Sequence, residues 1–187
     1  VAVGIAFGVF FGKEVFGGTG RNIFNPALVG RIFITIAFPQ IMSATWRMPF
    51  SDAITAATPL AVYKSSQAAA PYLDLLLGQV AGSTGEVFRI GIIAGAVLLM
   101  MTRVSSWRIT LSYLGSVGLF AFVGHALGPQ TFAPPLFQLL AGSVLFGAVF
   151  MATDPVTSPA TKPGKLIFGI GCGIITVLIR TFSGFTE

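Results

Sequence analysis

The chain has 187 residues, of which 54% are hydrophobic and only 9% charged, and its mean hydropathy is +0.86. A soluble domain carries about 25% charged residues, so this composition predicts an integral membrane protein. The net charge of +5 comes from eleven lysines and arginines scattered singly along the chain, which argues against a nucleic-acid-binding surface. One cysteine and one histidine exclude an intrachain disulfide, a cysteine-rich metal cluster and a paired-histidine haem site.

Apolar segments predict the elements in chain order, because a helix needs about 20 apolar residues to cross the hydrocarbon core of a bilayer. Five segments reach or approach this length, and a truncated helix precedes them. We therefore expect an all-α, polytopic membrane protein with a single transmembrane domain over residues 1–187. In chain order, the truncated helix and the five spans are residues 1–12, 26–42, 86–101, 107–127, 135–152 and 165–180.

The first residue, Val1, already lies inside an apolar run. Neither a methionine nor the basic start of a signal peptide precedes it. The final segment TFSGFTE follows the last predicted span directly. We therefore expect the chain to be part of a longer protein.

Glycines recur at four-residue spacing in three of the predicted helices. This spacing places them on one helix face, and a stripe of small residues lets a second helix approach closely. We expect close helix packing at these glycines, which are Gly4, Gly8 and Gly12, then Gly91 and Gly95, and then Gly169 and Gly173.

A long predicted loop, residues 43–85, separates the second and third apolar helices. Basic residues are more frequent on the cytoplasmic side of membrane proteins. If the loop with Lys13 and Arg21 is cytoplasmic, six basic residues lie on that side and four on the other. This bias is weak, and it places loop 43–85 outside the cytoplasm.

A glycine-rich turn precedes the second helix, in the segment GKEVFGGTGRNIFNPAL (residues 12–28). Such a turn before a helix exposes backbone N–H groups, which favour an anion or a polar ligand. Asn22 and Asn25 follow the turn, and Arg31 is a cation within the span, where a charge usually faces a partner or a cavity. The alternatives are a structural turn whose amides satisfy one another, and an arginine that snorkels or forms an ion pair.

Loop 43–85 contains the segment SDAITAATPL (residues 51–60), which is rich in small and hydroxyl-bearing residues. Thr58 is a poor nucleophile, because neither a histidine nor a lysine lies beside it. Its small neighbours instead suit it to accept a modification made by another enzyme, with Asp52 as a handle and an accessible hydroxyl as a requirement. The alternative is a polar turn without chemistry.

A third polar segment, MATDPVTSPATKPGK (residues 151–165), begins where Asp154 and Pro155 end a helix. Its prolines predict a rigid loop. We interpret Cys172 and His125 as packing and structural residues, and the alternative for Cys172 is a cluster ligand shared with another subunit.

Three segments together resemble one family of membrane subunits: KEVFGGTGRNIFNPALVGR, ITAATPL and FMATDPVTSPATKPGK. The chain resembles the B subunit of the sodium-translocating NADH:quinone oxidoreductase (Nqr) over essentially all its residues, in the same order. The D subunit of the Rnf complex represents a sister family with the same fold, although its first motif usually differs from GGTGRN. The resemblance implies part of a ten-helix fold of two inverted repeats, similar to urea and ammonium channels.

The resemblance also implies FMN joined through its phosphate to a threonine in the pattern D-x-x-(S/T)-(G/A)-A-(S/T). This pattern falls on Asp52, Thr55 and Thr58, so Thr58 is the expected attachment site. Asp52 and Thr55 are the expected recognition residues of a separate flavin transferase, which acts outside the cytoplasm. Arg47 or Lys64 would offset the negative charge of the phosphodiester.

The family carries a second flavin, a noncovalent riboflavin. The resemblance makes Asn22, Asn25 and Arg31 its expected neighbours in this chain. The quinone site is expected partly on helices that precede this chain, so no residue is assigned to it here. Catalytic and metal-binding residues are likewise not assigned.

Together these features imply an electron-carrying subunit of a respiratory Na⁺-translocating NADH:quinone reductase, a multi-pass protein of the bacterial inner membrane. Electrons would pass through FMN and riboflavin to quinone, coupled to Na⁺ movement and in contact with the other Nqr subunits. The D subunit of an Rnf complex, with ferredoxin as electron donor, is one alternative. A non-redox channel or transporter on the same scaffold is another, and the flavin loop distinguishes it.

Overall fold

The computed structural model describes residues 1–44, 57–83 and 85–184, and every regular element in these ranges is helical. The chain divides into two compact units, Val1–Thr45 with Asp154–Ser158 and Trp46–Thr153 with Pro159–Glu187. The all-α expectation is therefore confirmed for the described residues. The inverted repeat of the ten-helix fold stays a prediction.

The described part of the first unit contains the helices α1 (Ala2–Gly12), α2 (Pro26–Ala37) and α3 (Pro39–Ala44), with a 3-10 turn over Glu14–Phe16. Helix α2 ends two residues before Pro39. Proline has no backbone N–H and disfavours a helical conformation of the residue before it. The continuous span predicted over residues 26–42 is therefore wrong, because the chain forms two shorter helices there.

Helices α1 and α2 pack closely through glycines, as the four-residue spacing predicted. A Cβ atom on Gly30 would lie 2.5 Å from Gly4 O, and one on Gly8 would overlap Pro26 O. A larger side chain at either glycine would force the two backbones apart. The glycine stripe of α1 is therefore a helix-packing surface.

The second unit contains the longer helices. In chain order, its described helices are α4 (Pro59–Ser66), α5 (Tyr72–Leu77), α6 (Arg89–Met101), α7 (Trp107–Leu127), α8 (Pro135–Leu140), α9 (Val144–Phe146) and α10 (Lys162–Phe182). Helices α4 and α5 lie within the segment expected to be the extracytoplasmic loop. The side of the membrane on which they lie stays a prediction.

Within the described ranges, α7 and α10 are long and apolar enough to cross a membrane, and α2 and α6 are shorter apolar helices. Helix α7 has the bounds predicted from the sequence, and α10 contains the predicted span 165–180. Most of the apolar span of both helices is not buried in protein, and side chains such as Leu119 and Ile167 are exposed. Apolar surface of this extent is typical of contact with lipid.

The segment 135–152, predicted as one span, is broken in the middle. Helix α8 ends at Leu140, Ala141 is extended, and Gly142 has a φ of +64°. Glycine adopts this left-handed conformation without steric cost, and it turns the chain out of the helix. Helix α9 then continues as a π-helical turn over Gly147–Met151. The prediction of a continuous span here is wrong.

Helices α7 and α10 pack through small residues that both helices present at four-residue spacing. A Cβ atom on Gly173 would lie 2.7 Å from Tyr113 O, beside Ser116, and Gly169 meets Ser112 one turn earlier. This pattern brings two membrane helices into backbone contact. The prediction for this glycine pair is confirmed.

The glycines of α6 do not form a helix-packing surface, in contrast to the glycine stripes of α1 and α10. Gly91 and Gly95 face the rings of Phe88 and Phe150 rather than the backbone of another helix. The expected close helix packing at this pair is therefore wrong.

The α7–α10 contact predicts that Gly173→Ala destabilises the protein by about 1–3 kcal/mol, because the added methyl group overpacks the contact. The matched control is Gly171→Ala on the same helix, since nothing lies within 4 Å of a Cβ atom at that position. Alanine has the higher helix propensity, so the control should unfold at the parent temperature or slightly above it. Thermal unfolding of the purified protein in detergent measures both, and equal unfolding temperatures for the two variants would contradict the contact.

Candidate functional site

Thr58 lies at the start of α4 and caps that helix. Its Oγ1 atom accepts a hydrogen bond from the N–H group of Ala61 over 3.3 Å, and its backbone is extended. Pro59 follows at the first helical position, where proline is favoured. Only 3% of Thr58 is exposed. The sequence suggested an accessible hydroxyl, and the structure instead buries it.

The N-terminus of α4 provides a favourable environment for negative charge at Thr58. Aligned peptide dipoles place partial positive charge at the start of a helix, where backbone N–H groups also point outward. A phosphate bonded to Thr58 Oγ1 would lie at this end of α4. Asp52 and Thr55, the other residues of the motif, lie outside the described residues, as does Arg47.

A polar pocket of about 270 Å³ lies along the same helix. One wall is a face of α4, whose lining residues recur every three or four positions. The opposite walls come from the segment before α8, from α8 itself and from the end of α10. The lining residues are Leu60, Tyr63, Lys64, Gln67, Gln130, Thr131, Ala133, Gln138, Arg180 and Thr181.

Lys64 of α4 and Gln67, the residue after its last turn, tie this wall of the pocket to the rest of the unit. Lys64 Nζ donates a hydrogen bond to Ser183 O, and Gln67 Nε2 donates one to Gln130 O over 2.9 Å. Burial, with Tyr72 as a smaller cause, raises the pKa of the Tyr63 phenol above its ordinary value of 10.0, so Tyr63 is neutral at physiological pH. The cationic group on the α4 wall is therefore Lys64.

Gln138 lies on α8 at the base of the pocket and is 3% exposed. Its Oε1 atom accepts no hydrogen bond from any residue that the structure describes. A buried acceptor without a donor costs about 1–3 kcal/mol. Such an atom is a candidate contact for the N–H group of a ligand.

Two buried arginines bind the free carbonyl groups at the end of α8. Arg180 Nη1 and Nη2 donate to Gln138 O and Ala141 O over 2.9 and 3.1 Å, and Arg89 Nε donates to Leu140 O over 2.9 Å. The last carbonyl groups of a helix have no partner within the helix and carry partial negative charge. The guanidinium groups therefore stabilise the interruption between α8 and α9.

Gln138, Arg89 and Arg180 were not identified as site residues from the sequence. In the sequence the two arginines were only two of the four basic residues expected outside the cytoplasm. Ionisable residues at the ends of apolar segments are a signal that could have singled them out. Gln138 carries no comparable signal, because its role depends on the break after α8.

The expected riboflavin neighbours Asn22 and Asn25 lie in the turn before α2, and both amides have local partners. Asn22 Nδ2 donates to Phe24 O over 3.0 Å. Asn25 Oδ1 accepts from the N–H group of Ala27 over 2.9 Å and from that of Leu28 over 3.4 Å, which caps α2. Asn25 Nδ2 makes no hydrogen bond within the described residues, so this group is a free donor of the turn.

The glycine turn before these asparagines bonds two of the N–H groups that its sequence suggested would be exposed. Gly17, Gly18 and Gly20 all have positive φ values, which only glycine adopts readily. The N–H groups of Gly17 and Gly18 donate to Glu14 O and Lys13 O. These bonds favour the interpretation of the segment as a structural turn.

Arg31 lies on α2 in the wall of an open apolar groove of about 750 Å³, lined by α1, α2 and α3. Its guanidinium group forms neither a hydrogen bond nor an ion pair with any described residue. The other lining residues are all apolar, and they include Ile5, Gly30 and Ile34. Arg31 is therefore a half-buried cation at an apolar surface.

Metal ligands are not clustered in the described ranges, since no three His, Cys, Asp or Glu side chains lie together there. His125 Nδ1 lies 2.7 Å from Phe132 O, and Cys172 is half-buried in α10. The contact of His125 supports its interpretation as a structural residue, and the interpretation of Cys172 stays a prediction.

The helical fold and its outward apolar faces define the chain as a helical membrane protein. Its buried arginines, which bind backbone carbonyls, are consistent with this class. The chain belongs to the NQR2, RnfD, RnfE family, which matches all of residues 1–187. The family resemblance inferred from the three motifs is therefore confirmed.

Named relatives come from both branches of this family. The B subunit of the Na(+)-translocating NADH-quinone reductase of Chromohalobacter salexigens is 43% identical over 96% of this chain and 46% of the relative. The corresponding B subunit of Pseudomonas aeruginosa is 41% identical over 96% of the chain and 47% of the relative. The D subunit of the Na(+)-translocating ferredoxin:NAD(+) oxidoreductase complex of Acetobacterium woodii is 38% identical over 99% of the chain and 57% of the relative. The chain thus spans about half the length of the curated relatives it matches.

The arginine contacts predict that Arg89→Met destabilises the protein by about 1–3 kcal/mol for each buried carbonyl left unpaired. Methionine keeps most of the side-chain volume and removes the bonds to Leu140 O and Val87 O. Arg103→Met is the control, because Arg103 is exposed. Unfolding temperatures in detergent compare the two, and a loss for Arg89→Met no larger than the control would contradict the role of Arg89.

Proposed function

We propose that the chain is the flavin-bearing membrane part of an electron-carrying subunit of a Na⁺-translocating NADH:quinone reductase. The observation that carries this proposal is Thr58, which falls on the last position of the flavinylation pattern and lies at the N-terminus of a helix. The relatives named as B subunits of that reductase support it. The protein would lie in the bacterial inner membrane in contact with the other subunits of the complex.

Thr58 would hold FMN through a phosphoester to its Oγ1 atom. The phosphodiester keeps one negative charge, and the partial positive charge at the start of α4 stabilises it. Lys64, further along the same helix, adds a full positive charge within the same unit. When bound, FMN supplies electron transfer, while the protein fixes the position and the potential of the flavin.

The burial of Thr58 sets a condition on the flavin transferase. Because the hydroxyl is buried and bonded to the N–H group of Ala61, the enzyme reaches it only when the first turn of α4 is open. Asp52 and Thr55 would then serve as recognition residues on the preceding segment. Attachment therefore requires this turn to open transiently.

A noncovalent riboflavin would bind near the turn before α2. Asn25 Nδ2 is a free donor there, and Arg31 offers a cation at the adjoining apolar groove. A flavin ring has both an apolar face and polar edges, so this combination of groups suits it. Quinone would accept the electrons, with part of its site on other segments of the protein.

Sodium ions would move in step with these redox reactions. Acidic side chains are not clustered in the described residues, so carbonyl and hydroxyl oxygens would coordinate the ion, as they do for hard cations. The broken segment between α8 and α9 does not offer its terminal carbonyls for this purpose, because the two arginines bind them.

The second candidate function is that of the D subunit of an Rnf complex, which the relative from Acetobacterium woodii favours. Both candidates use the same flavin attachment, and they differ in the electron donor, NADH or ferredoxin. A non-redox channel on this scaffold would have no use for the attachment site. Detection of the covalent flavin therefore separates the channel from both redox candidates.

The attachment site predicts that Thr58→Ser keeps the covalent flavin and Thr58→Asn loses it. Both side chains still cap α4, because Ser and Asn are good N-cap residues, but only Ser offers a hydroxyl. The control is Thr161→Ala, which removes the equivalent cap of α10 at Gly164 N–H. Fluorescence of the denatured polypeptide and the mass of the Thr58 peptide report the flavin. A flavin retained in Thr58→Asn, or absent from the parent protein made with its transferase, would refute the attachment site.

The riboflavin site predicts that Asn25→Ser loses most of the noncovalent flavin without destabilising α2. Serine replaces the cap on Ala27 and Leu28 but has no amide N–H group. Asn25→Ala is the comparison for stability and should cost about 1 kcal/mol through loss of the cap. Flavin released on denaturation of the complex, counted per covalent flavin, measures the effect. Full retention in Asn25→Ser would remove Asn25 from the site.

A further inference from the structure

The polar pocket along α4 contains groups that the attachment of flavin at Thr58 does not by itself require. We propose that this pocket holds the ring end of the Thr58-linked flavin, with the Gln138 amide bound to the imide edge of the ring. This inference rests on the proposed function. It assigns a ligand-contacting role to Gln138 and a charge role to Lys64.

The position of the pocket fits a group tethered at Thr58. Leu60, two residues beyond Thr58, lines the near end, and Gln67 lines the far end. With a rise of about 1.5 Å per residue, the pocket begins about 3 Å along the helix axis from Thr58 and ends about 13 Å from it. The pocket therefore lies within the reach of a flavin anchored at the N-terminus of α4.

The size of the pocket indicates which part of the flavin it would receive. Pockets that enclose a whole drug-sized ligand measure about 300–1,000 Å³. The volume of about 270 Å³ is smaller than this range, so it suits one end of the molecule. The phosphate would remain at Thr58, and the ring would occupy the pocket.

The chemistry of Gln138 matches the polar edge of the ring. The imide edge of a flavin has one N–H donor between two carbonyl acceptors. Gln138 Oε1 is a buried acceptor that receives no hydrogen bond within the described residues, and the same amide carries a donor beside it. A flavin N–H group would satisfy this acceptor, and the Gln138 amide N–H₂ would reach the adjacent carbonyl.

The charges around the pocket have one sign, since its ionised lining residues are Lys64 and Arg180. Arg180 is fixed by its bonds to Gln138 O and Ala141 O, and it thereby also fixes α8. Positive charge near a flavin ring favours reduction, because reduction adds electrons to the ring. The pocket should therefore raise the midpoint potential of the covalent flavin.

The test uses the full complex made with its flavin transferase, carrying Gln138→Leu or Lys64→Met. Peptide mass first confirms that Thr58 carries the flavin, and a redox titration followed by absorbance then gives its midpoint potential. Lys64→Met should lower the ratio of reduced to oxidised flavin at a fixed potential about tenfold. For a two-electron couple, this corresponds to a midpoint potential that is about 30 mV lower. Lys64→Arg should restore it. Gln138→Leu should shift both the potential and the absorption band of this flavin.

The control is Lys162→Met, which removes an exposed lysine outside the pocket. In one contrary outcome, both pocket variants keep the covalent flavin with the midpoint potential and absorption spectrum of the control. That result would overturn the pocket assignment and leave the attachment at Thr58 unaffected. A bare Thr58 in the parent complex would overturn both. If the complex carrying Gln138→Leu does not assemble, the comparison of Lys64→Met with Lys64→Arg decides the pocket assignment. Lys64 is exposed, so its substitution leaves the core unchanged.

Discussion

The interruption between α8 and α9 is the constraint on which the second unit depends. Buried backbone carbonyls must be paired, because a buried acceptor without a donor costs about 1–3 kcal/mol. Leu140 O and Ala141 O lose their helical partners where Gly142 turns the chain, and Arg89 and Arg180 replace those partners. Each arginine comes from a different helix, α6 or α10, so the interruption also joins these helices to α8. A buried charged side chain, which is costly without partners, is here stabilised by carbonyl dipoles.

The pocket beside Thr58 follows from this arrangement. Since α8 ends at Leu140, Gln138 lies in its last turn, where its buried side chain lines the pocket. Leu60, Leu75 and Phe137 form a buried cluster that holds α4 and α5 against α8. The position of the α4 wall is therefore set by apolar packing, and the polar groups of the pocket are held in place before a ligand binds. Preorganisation of this kind lowers the cost of ligand binding.

Hydropathy predicted the location of the helices better than their continuity. The span 107–127 has the predicted bounds, because no helix-breaking residue interrupts its apolar sequence. The spans 26–42 and 135–152 are also apolar but are broken at Pro39 and Gly142, and a sum over apolar residues does not register such breaks. Thr58 could be singled out as a candidate because its signal is local, a run of small and hydroxyl residues that matches a family pattern. Gln138 and Arg180 could not be found in this way, because they meet α4 only through tertiary packing.

The position of Thr58 explains how one hydroxyl can serve both the fold and the proposed chemistry. Before modification, Oγ1 occupies the N-cap of α4 and accepts from the N–H group of Ala61. A phosphate on the same atom would bring further oxygen acceptors to the same helix end, where N–H groups and the helix dipole favour an anion. The cap would therefore be replaced rather than lost. A threonine in the middle of a helix would offer no such exchange, because the backbone N–H groups around it are already bonded within the helix.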